Sequence, residues 1–376
     1  MKKVVLKTFA VVMCLAMVAC VFAGCGKKHT AYVIGATGPL TGDAASYGIS
    51  VKNGAELAID QINEAGGLNG VKFEFEIMDD VADAKNVTAA YDSLVKKGMQ
   101  ISIGSVTSGA CEQFANLSKD DNLFFMTPSA SAASCIKASN AYRICFGDPD
   151  QGVLSAQELT KTYSKIGVIY NSDDPYSSGI FSAFKDEMGK LDKAFVEAPF
   201  TNDSKNVFTT QLQKLKGEGC DVVFLPIYYQ EASLIIKEAK TLSYTADIFG
   251  CDGLDGIVKY LAEDAEGSEL IKGVRYLTPF DVNSTDEKVS AFVSAYKDKY
   301  GVEPDQFAAD GYDAIMVIYE AMKKAGVDNV NISMSELCDK VKEVINGDFT
   351  YVGATGSMTW NAAGEPTKAP QIVTIK

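Results

Sequence analysis

The chain has 376 residues, a net charge of −14 and a single histidine, His29. The excess of acids argues against nucleic-acid binding, which needs clustered lysine and arginine to neutralise phosphates. The lone histidine lies in a polar Lys-Lys-His-Thr segment, which argues against Ser-His-Asp or Cys-His catalysis and against a histidine-rich zinc site.

Residues 1–24 have the pattern of an export signal, with a basic start, an apolar stretch over residues 9–22 and small residues before a cleavage site. The sequence Phe-Ala-Gly-Cys that ends at Cys25 resembles the lipobox of bacterial lipoproteins. That resemblance implies cleavage before Cys25, acylation of its thiol and anchoring at the outer face of the cell membrane. The alternatives are an ordinary secretory signal with a chance cysteine, or an uncleaved anchor. Removal of a leader with three lysines and no acid takes the net charge from −14 to −17.

Residues 25–30 form a short polar tether, and the remainder is predicted to fold as a globular body. Hydrophobic residues make up 47% of the sequence and charged residues 22%, which is typical of a folded protein. No second long apolar run follows the leader, so the lipid is the only expected membrane contact. The length is sufficient for two domains.

After the tether, apolar runs rich in β-branched residues alternate with longer stretches of helical periodicity. The first series predicts strands at 31–35, 72–78, 101–104 and 123–127, and helices at 48–65, 84–97 and 109–121. The second predicts strands at 165–170, 194–200, 221–226 and 247–251, and helices at 177–191, 207–216 and 230–242. Helices at 286–300, 306–325 and 333–345 follow, and a β-hairpin with a turn at 361–364 ends the chain. This alternation predicts an α/β protein with two similar lobes, each a parallel sheet covered on both faces.

Polar and small residues follow the predicted strands, and in open α/β sheets ligands bind beyond the carboxyl ends of the strands. These segments carry hydroxyls, tyrosines and one well-placed acid. They are residues 35–48, 104–110, 127–131, 173–179, 228–229 and 251–253. The candidate site is therefore built from loops of both lobes.

The order of these segments resembles the leucine/isoleucine/valine-type substrate-binding proteins of bacterial ABC transporters, over the whole chain after the leader. The matching motifs are Gly35-Ala-Thr-Gly-Pro-Leu-Thr-Gly42, Asn53-Gly-Ala-Glu-Leu-Ala58 with Ile62-Asn63-x-x-Gly66-Gly67, Thr127-Pro-Ser-Ala-Ser131 and Gly311-Tyr-Asp-Ala314. Each motif is weak alone, and their order makes the resemblance specific. It implies the type I periplasmic binding protein fold, an α/β fold of two Rossmann-like parallel-sheet lobes joined by a three-crossover hinge.

The resemblance places lobe 1 at residues 31–148 and 279–353, and lobe 2 at residues 149–278 and 354–376. The chain would then cross between the lobes near 149, 278 and 354. The ligand implied is a small amino acid of the branched-chain aliphatic kind, and the partner implied is an ABC transporter permease. We expect a monomer with no catalytic activity, metal or cofactor.

The resemblance carries eight ligand-binding positions onto this chain: Tyr47, Ser108, Ser129, Ser131, Tyr176, Tyr228, Asp252 and Phe307. The hydroxyl and backbone of Ser108 would hold the ligand carboxylate at a helix N-terminus, which favours anions. The backbone carbonyl of Ser129 and the carboxylate of Asp252 would hold the ammonium. Ser131 would contribute its hydroxyl and N–H, and the aromatic residues would wall the pocket.

Three positions depart from the family pattern. Residue 252 is Asp where Glu is common, so the ammonium must lie closer to lobe 2 or bind through a water. Residue 131 is Ser where Thr is frequent, which removes one methyl from the pocket. Thr107 stands at one position of a disulfide that occurs in some members. These departures leave the identity of the ligand open.

Other interpretations of the same residues remain open. The fold could bind an amide, urea or an aromatic acid, or it could act as a ligand sensor; an exported enzyme is a remote alternative. Asp252 could cap a turn, the serines could cap helices and the tyrosines could simply pack. The glycines at 35, 38 and 42 depart from dinucleotide-binding spacing, which disfavours a dehydrogenase. Cys135 and Cys145 are the only cysteine pair worth testing as a disulfide.

Overall fold

A computed structural model describes residues 28–261 and 265–376. The leader and Cys25, on which the lipoprotein prediction depends, lie outside the described residues. The described part forms two α/β lobes, each built on one mainly parallel sheet. The predicted α/β fold class with parallel-strand lobes is confirmed.

Strands and helices alternate along most of the chain. The strands are β1 (Tyr32–Gly38), β2 (Phe73–Asp79), β3 (Ile101–Ser102), β4 (Phe125–Thr127), β5 (Ala141–Arg143), β6 (Ile166–Asn171), β7 (Phe195–Phe200), β8 (Val222–Leu225), β9 (Asp247–Gly250), β10 (Arg275–Thr278), β11 (Tyr351–Gly353), β12 (Gly356–Met358) and β13 (Gln371–Thr374). The helices are α1 (Ala45–Glu64), α2 (Ala84–Lys97), α3 (Ser108–Asp120), α4 (Asp148–Thr162), α5 (Pro175–Lys190), α6 (Thr209–Glu218), α7 (Tyr229–Thr241), α8 (Ile257–Leu261), α9 (Ala265–Ile271), α10 (Glu287–Tyr300), α11 (Gln306–Lys324) and α12 (Met334–Ile345).

The first sheet has the strand order β2-β1-β3-β4-β5, and its strands are parallel. Strand β1 is buried along its whole length, which is why it consists almost entirely of apolar and small residues. Helices α1 and α11 pack against each other in this lobe. Gly54 of α1 allows their close approach, because a Cβ there would lie 1.9 Å from the carbonyl oxygen of Ala308 in α11.

The second sheet has the order β13-β10-β9-β8-β6-β7. Strand β13 is antiparallel to β10, and the remaining pairs are parallel. The core of this lobe is rich in aromatic residues. Phe184 of α5 contacts Phe224 of β8 with ring centroids 4.8 Å apart, and Phe249 of β9 belongs to the same buried cluster.

The chain passes between the two sheets three times. It leaves the first sheet between β5 and α4 and returns after β10. The third passage lies between Glu365 and Gln371, because the Gly364 carbonyl accepts a hydrogen bond from the Arg143 N–H of β5 at 3.2 Å, whereas Gln371 pairs with Thr278 of β10. The third crossing was expected near residue 354, and that position is wrong. Residue 354 lies in the tight turn between β11 and β12. This hairpin still packs on the first lobe, where the Ala354 N–H donates to Asp313 of α11.

The helices and strands predicted up to residue 345 occur in the structure with ends shifted by only a few residues. The hairpin predicted with a turn at 361–364 differs: the paired strands β11 and β12 come earlier in the chain, and the turn at 361–364 is flanked by an isolated antiparallel bridge between Trp360 and Pro366. The sequence patterns missed β5, β10, β13, α8, α9 and the long helix α4. The buried face of α4 includes Gln151, Gly152 and Ser155, so it lacks the apolar periodicity by which an amphipathic helix is identified.

All six cysteines among the described residues carry free thiols. The pairing considered for Cys135 and Cys145 is therefore not formed. Both side chains are buried, and the Cys135 thiol instead faces the carbonyl oxygen of Ser108, with 3.6 Å between the sulfur and the oxygen. Each behaves as a small apolar core residue.

Candidate functional site

A cavity between the two lobes brings together most of the candidate site residues. It is lined by Tyr47, Val106, Thr107, Ser108, Ser129, Tyr176, Tyr228, Asp252, Gly253 and Phe307. Seven of the eight candidate positions are in this set, and Ser131 is not. The candidate list missed three lining residues, Val106, Thr107 and Gly253. All three lie within two residues of a candidate in the sequence.

The cleft is closed. The cavity volume open to the centre of a water molecule is about 10 Å³, which corresponds to roughly one water. The rings of Tyr47 of lobe 1 and Tyr229 of lobe 2 are in contact across the cleft, with centroids 5.0 Å apart. An amino acid would therefore need the lobes to separate before it could enter.

The lobe 1 wall carries neutral hydroxyls, of which those of Ser108 and Ser129 are held by their own lobe, whereas the Thr107 hydroxyl has no hydrogen-bond partner among the described residues. Ser108 begins α3, and its Oγ accepts a hydrogen bond from the Ala132 N–H at 3.2 Å. Ser129 Oγ donates to the Val106 carbonyl at 2.8 Å. The N-terminus of α3 faces the cavity through Ser108, and such a helix end favours a negatively charged group.

The lobe 2 wall carries a buried acid. Asp252 is 4% exposed, its Oδ1 accepts from the Tyr176 hydroxyl at 2.7 Å, and its N–H donates to Gln151 Oε1 at 3.1 Å. Burial raises the pKa of Asp252 from 3.8 to about 6, against the lowering effect of its hydrogen bonds with Tyr176 and Gln151. Tyr176 also accepts from the Gly253 N–H at 2.8 Å, so one phenol fixes both the acid and its neighbour.

Aromatic rings from both lobes close the remaining sides. Tyr176 and Tyr228 of lobe 2 stack with centroids 5.0 Å apart and an interplanar angle of 10°. Tyr47 of lobe 1 meets Tyr228 edge-on at 5.6 Å. These rings provide a dry apolar wall, and their hydroxyls supply polar contacts at its edge.

The Tyr47 hydroxyl joins the two lobes directly. It donates to the Gly253 carbonyl and accepts from the Tyr229 N–H at 3.0 Å. Residue 253 must be small at this contact, because a Cβ there would lie 2.7 Å from the Tyr176 hydroxyl oxygen and 2.8 Å from the Ile227 carbonyl oxygen. Further polar contacts between the lobes are the ion pairs of Lys205 with Asp43 and Lys259 with Asp305, at 2.7 and 2.6 Å.

Ser131 lies behind the cavity wall instead of on it. Its carbonyl accepts from the Asp148 N–H at 3.0 Å and from the guanidinium of Arg143. Its side chain is fully buried, and its hydroxyl has no hydrogen-bond partner among the described residues. The loop 127–131 therefore contributes Ser129 to the cavity, while Ser131 points into the layer beneath.

The chemistry of the cavity is that of binding. Within residues 28–261 and 265–376, no group of three or more His, Cys, Asp or Glu side chains could hold a metal ion. The groups that meet are a buried carboxylate, neutral hydroxyls, a helix N-terminus and aromatic rings. Such a set can hold a small molecule by both of its polar ends.

Two parallel-sheet lobes that close over one cavity, with three chain crossings, are the architecture of the type I periplasmic binding proteins. The chain belongs to the periplasmic binding protein family, whose sequence pattern matches residues 31–364. Members of this family lie outside the cytoplasm, and the relatives of this chain are transport binding proteins and not enzymes. The family predicted from the sequence motifs is confirmed.

Three similar proteins illustrate the family. The Leu/Ile/Val-binding protein BraC3 of Rhizobium johnstonii is 30% identical over 339 residues, which cover 88% of this chain and 90% of that protein. The branched-chain amino acid transporter substrate-binding protein LivJ of Streptococcus pneumoniae, solved with isoleucine, is 25% identical with a TM-score of 0.78, covering 92% of this chain and 99% of that chain. An ABC transporter solute-binding protein from R. palustris, solved with benzoate, is 21% identical with a TM-score of 0.80, covering 92% of this chain and 93% of that chain. At this level of identity, the similarity concerns the fold and not the ligand.

In the described part of the chain, no helix combines the length and the apolarity needed to cross a membrane.

Proposed function

We propose that this protein captures a small branched-chain aliphatic amino acid in the cleft and delivers it to an ABC transporter permease. The observation that carries the proposal is the position of Asp252 on the lobe 2 wall of the same cavity that Ser108 and Ser129 line from lobe 1. An amino acid is a zwitterion, which needs an acceptor for its ammonium and donors for its carboxylate. The two walls supply these groups separately.

The charges favour an ammonium-bearing ligand. Asp252 is buried, so an ionised carboxylate there is costly unless a cation pairs with it. Benzoate has a carboxylate and no ammonium, and it would bring a second negative charge next to Asp252. We therefore rank an amino acid above an aromatic acid, an amide or urea. The Leu/Ile/Val-binding relative and the isoleucine-bound neighbour support the same order.

The aromatic wall suits an aliphatic side chain. Tyr47, Tyr228 and Phe307 contribute apolar ring surface to the cavity, and burial of a Leu-sized side chain is worth roughly 1.5–3 kcal/mol. A ligand that touches both walls stabilises the closed form, because only closure brings the serines and Asp252 to one molecule. A permease can then distinguish the loaded protein from the empty one.

A ligand screen tests this proposal. We expect leucine, isoleucine or valine to give the largest increase in melting temperature among the twenty amino acids, because a ligand that binds only the folded state raises its stability. Benzoate, acetamide and urea serve as comparison compounds and should give no increase. Stabilisation by benzoate or acetamide, with none by any amino acid, would contradict the proposed ligand class.

We also propose that Cys25 carries the lipid anchor. In cells, Cys25→Ser should leave the protein uncoupled from lipid and move it to the soluble fraction, whereas Cys14→Ser, in the apolar part of the leader, should leave it in the membrane fraction. Fractionation followed by immunodetection measures both. A Cys25→Ser protein that stays membrane-bound and uncleaved would rule out the lipoprotein assignment.

A further inference from the structure

A second groove lies along the seam between the two lobes, outside the ligand cavity. It is formed by side chains within residues 46–53 and 296–305 of lobe 1, residues 255–259 of lobe 2, and residues 276–282 around the second crossing. We call it the seam groove. Its volume open to the centre of a water molecule is about 560 Å³, which lies in the range of small-molecule sites. It shares no lining residue with the ligand cavity, so it is a separate compartment.

Exposed apolar side chains are concentrated in the seam groove. Ile49 and Val302 of lobe 1 are 45% and 52% exposed, and Val258 of lobe 2 is 43% exposed. The rings of Tyr276 and Tyr296 line the groove with them. Exposed apolar surface that is gathered at one place marks a binding site, whereas single exposed apolar residues do not. Because both lobes supply these side chains, the groove is complete only when the lobes are closed.

The polar part of the seam groove has an excess of acid. Asp305 of lobe 1 pairs with Lys259 of lobe 2, with 2.6 Å between Oδ2 and Nζ. Asp255 is only partly buried, and its carboxylate accepts from neutral donors, namely two backbone N–H groups at 2.9 Å and the Tyr276 hydroxyl at 3.4 Å. Burial and the neighbouring Asp305 raise the pKa of Asp255. Lys259 is the only basic residue among the described residues that line the groove, so two carboxylates share one ammonium.

The elements that line the seam groove also line the ligand cavity. Helix α1 contributes to both compartments. In lobe 2, Asp255 lies in the groove and Gly253 in the cavity, and at the start of α11, Asp305 lies in the groove and Phe307 in the cavity. A movement of one lobe against the other therefore changes both compartments together.

We infer that the seam groove binds a small amphipathic amine, with its ammonium at Asp255 and its apolar body against the exposed valines and isoleucine. The pair of Lys259 with Asp305 shows that this part of the groove accommodates an ammonium group. An anion would meet several carboxylates, and a neutral molecule would lack the attraction to them. A molecule that contacts both lobes stabilises the closed form, so the amine and the ligand of the cleft should strengthen each other's binding. This coupling rests on the proposed function, whereas the groove site itself does not.

Calorimetry with 2-phenylethylamine, which has one ring and one ammonium, tests the inference. We expect binding at one site, about tenfold or more tighter than that of 2-phenylethanol, which has the same ring and a neutral hydroxyl. Val258→Ser should weaken binding of the amine about threefold or more, because it removes apolar contact at an exposed position. Val207→Ser is the matched control, because Val207 is an exposed valine of lobe 2 outside the groove; it should bind like the wild type. Saturation of the cleft with the amino acid identified by the ligand screen should tighten binding of the amine about fivefold or more.

Each outcome decides the question. Amine binding that is no tighter than that of the alcohol, or that is equal in the wild type and Val258→Ser, overturns the groove site; Ile49→Ser replaces Val258→Ser if the latter does not fold. A fall in amine affinity on addition of the amino acid would place the amine in the ligand cavity and overturn the inference, and an unchanged affinity would overturn the coupling. A protein that binds the amine and no amino acid keeps the groove site and removes the proposed function. Absence of amine binding overturns the inference, whether the groove then contacts a second copy of this chain or the transporter.

Discussion

The two walls of the cleft are built from different chemistry. The lobe 1 wall is neutral, and two of its hydroxyls are held by lobe 1 backbone: Ser108 accepts from Ala132, and Ser129 donates to Val106. The lobe 2 wall is charged, and its acid is held by a tyrosine of the same lobe. Both walls are therefore held within their own lobes, and they differ in charge, because only the lobe 2 wall brings a buried carboxylate to the cavity.

This difference separates two tasks. The neutral wall can hold a ligand at little cost in the open state, because the Ser108 and Ser129 hydroxyls are already paired and a helix end supplies the favourable field. The charged wall gains most when water is excluded, because electrostatic attraction strengthens as the surroundings become less polar. Closure should thus depend mainly on the lobe 2 wall. Variants of that wall should lower ligand affinity more than variants of the lobe 1 wall.

Removal of the charge at Asp252 should give the largest loss. Asp252→Asn leaves a buried ligand ammonium poorly paired at a cost of roughly 3–5 kcal/mol, which corresponds to about a 140- to 4,000-fold loss of affinity. Calorimetry with the amino acid identified by the ligand screen measures it. Asp203→Asn, an exposed acid of lobe 2, is the control. A loss of less than tenfold would remove Asp252 from the site.

Removal of the hydroxyl that joins the walls should have the next largest effect. Tyr47→Phe leaves the Gly253 carbonyl and the Tyr229 N–H without the partner they share. Loss of these hydrogen bonds should destabilise the closed form by about 1–2 kcal/mol, which lowers affinity about five- to thirtyfold. Tyr260→Phe, at an exposed tyrosine, controls for the general loss of a phenol. Unchanged affinity in Tyr47→Phe would show that closure does not need this contact.

Acidification should weaken the charged wall selectively. Because the pKa of Asp252 is raised to about 6, lowering the pH from 7 to 5 protonates most of this carboxylate and should reduce amino-acid affinity about tenfold. The contribution of Asp252 to the free energy of unfolding of the unliganded protein should increase over the same fall in pH. A folded pKa above the ordinary 3.8 means that the contribution of Asp252 to stability is complete below pH 3.8 and is lost as the pH rises through about 6.

Titration of affinity against pH, with melting temperature as the parallel measurement, checks both directions. Affinity that is flat between pH 7 and 5 would show that Asp252 does not have to be ionised for binding. A melting temperature of the unliganded protein that falls over the same range would show that other groups dominate its acid response.

Ligand affinity should be least sensitive to substitution of a hydroxyl in the neutral lobe 1 wall. The Ser129 hydroxyl binds within lobe 1, and its proposed contact with the ligand is through the backbone carbonyl, which Ser129→Ala keeps. We expect affinity to change by less than about threefold and the free energy of unfolding to fall by about 1 kcal/mol. Calorimetry and thermal denaturation measure the two quantities. A tenfold loss of affinity would show that the hydroxyl itself meets the ligand.

Much of the fold could be predicted because it follows from periodicity. The buried parallel strands and the amphipathic helices have patterns that only one type of element satisfies. Helix α4 could not be predicted, because Gln151, Gly152 and Ser155 on its buried face look like a loop. Strand β13 was missed because pairing with β10 at the edge of a sheet is a long-range contact that residues 371–374 do not encode by themselves.

The same division holds for the site. Loops that follow strands could be assigned to one cavity from the topology, and the motif resemblance selected residues within them. The depth of a side chain could not be assigned, because Ser129 and Ser131 are two residues apart in one loop yet lie in different layers.

The single tryptophan of the sequence offers a built-in optical probe. Trp360 is buried, its indole N–H donates to the Arg143 carbonyl at 2.8 Å, and it lies beside the segment that passes between the lobes for the third time. Fluorescence excited in the indole band therefore originates from one corner of the molecule. Ligand-driven rotation at that corner can be followed by rapid mixing, without the attachment of any dye.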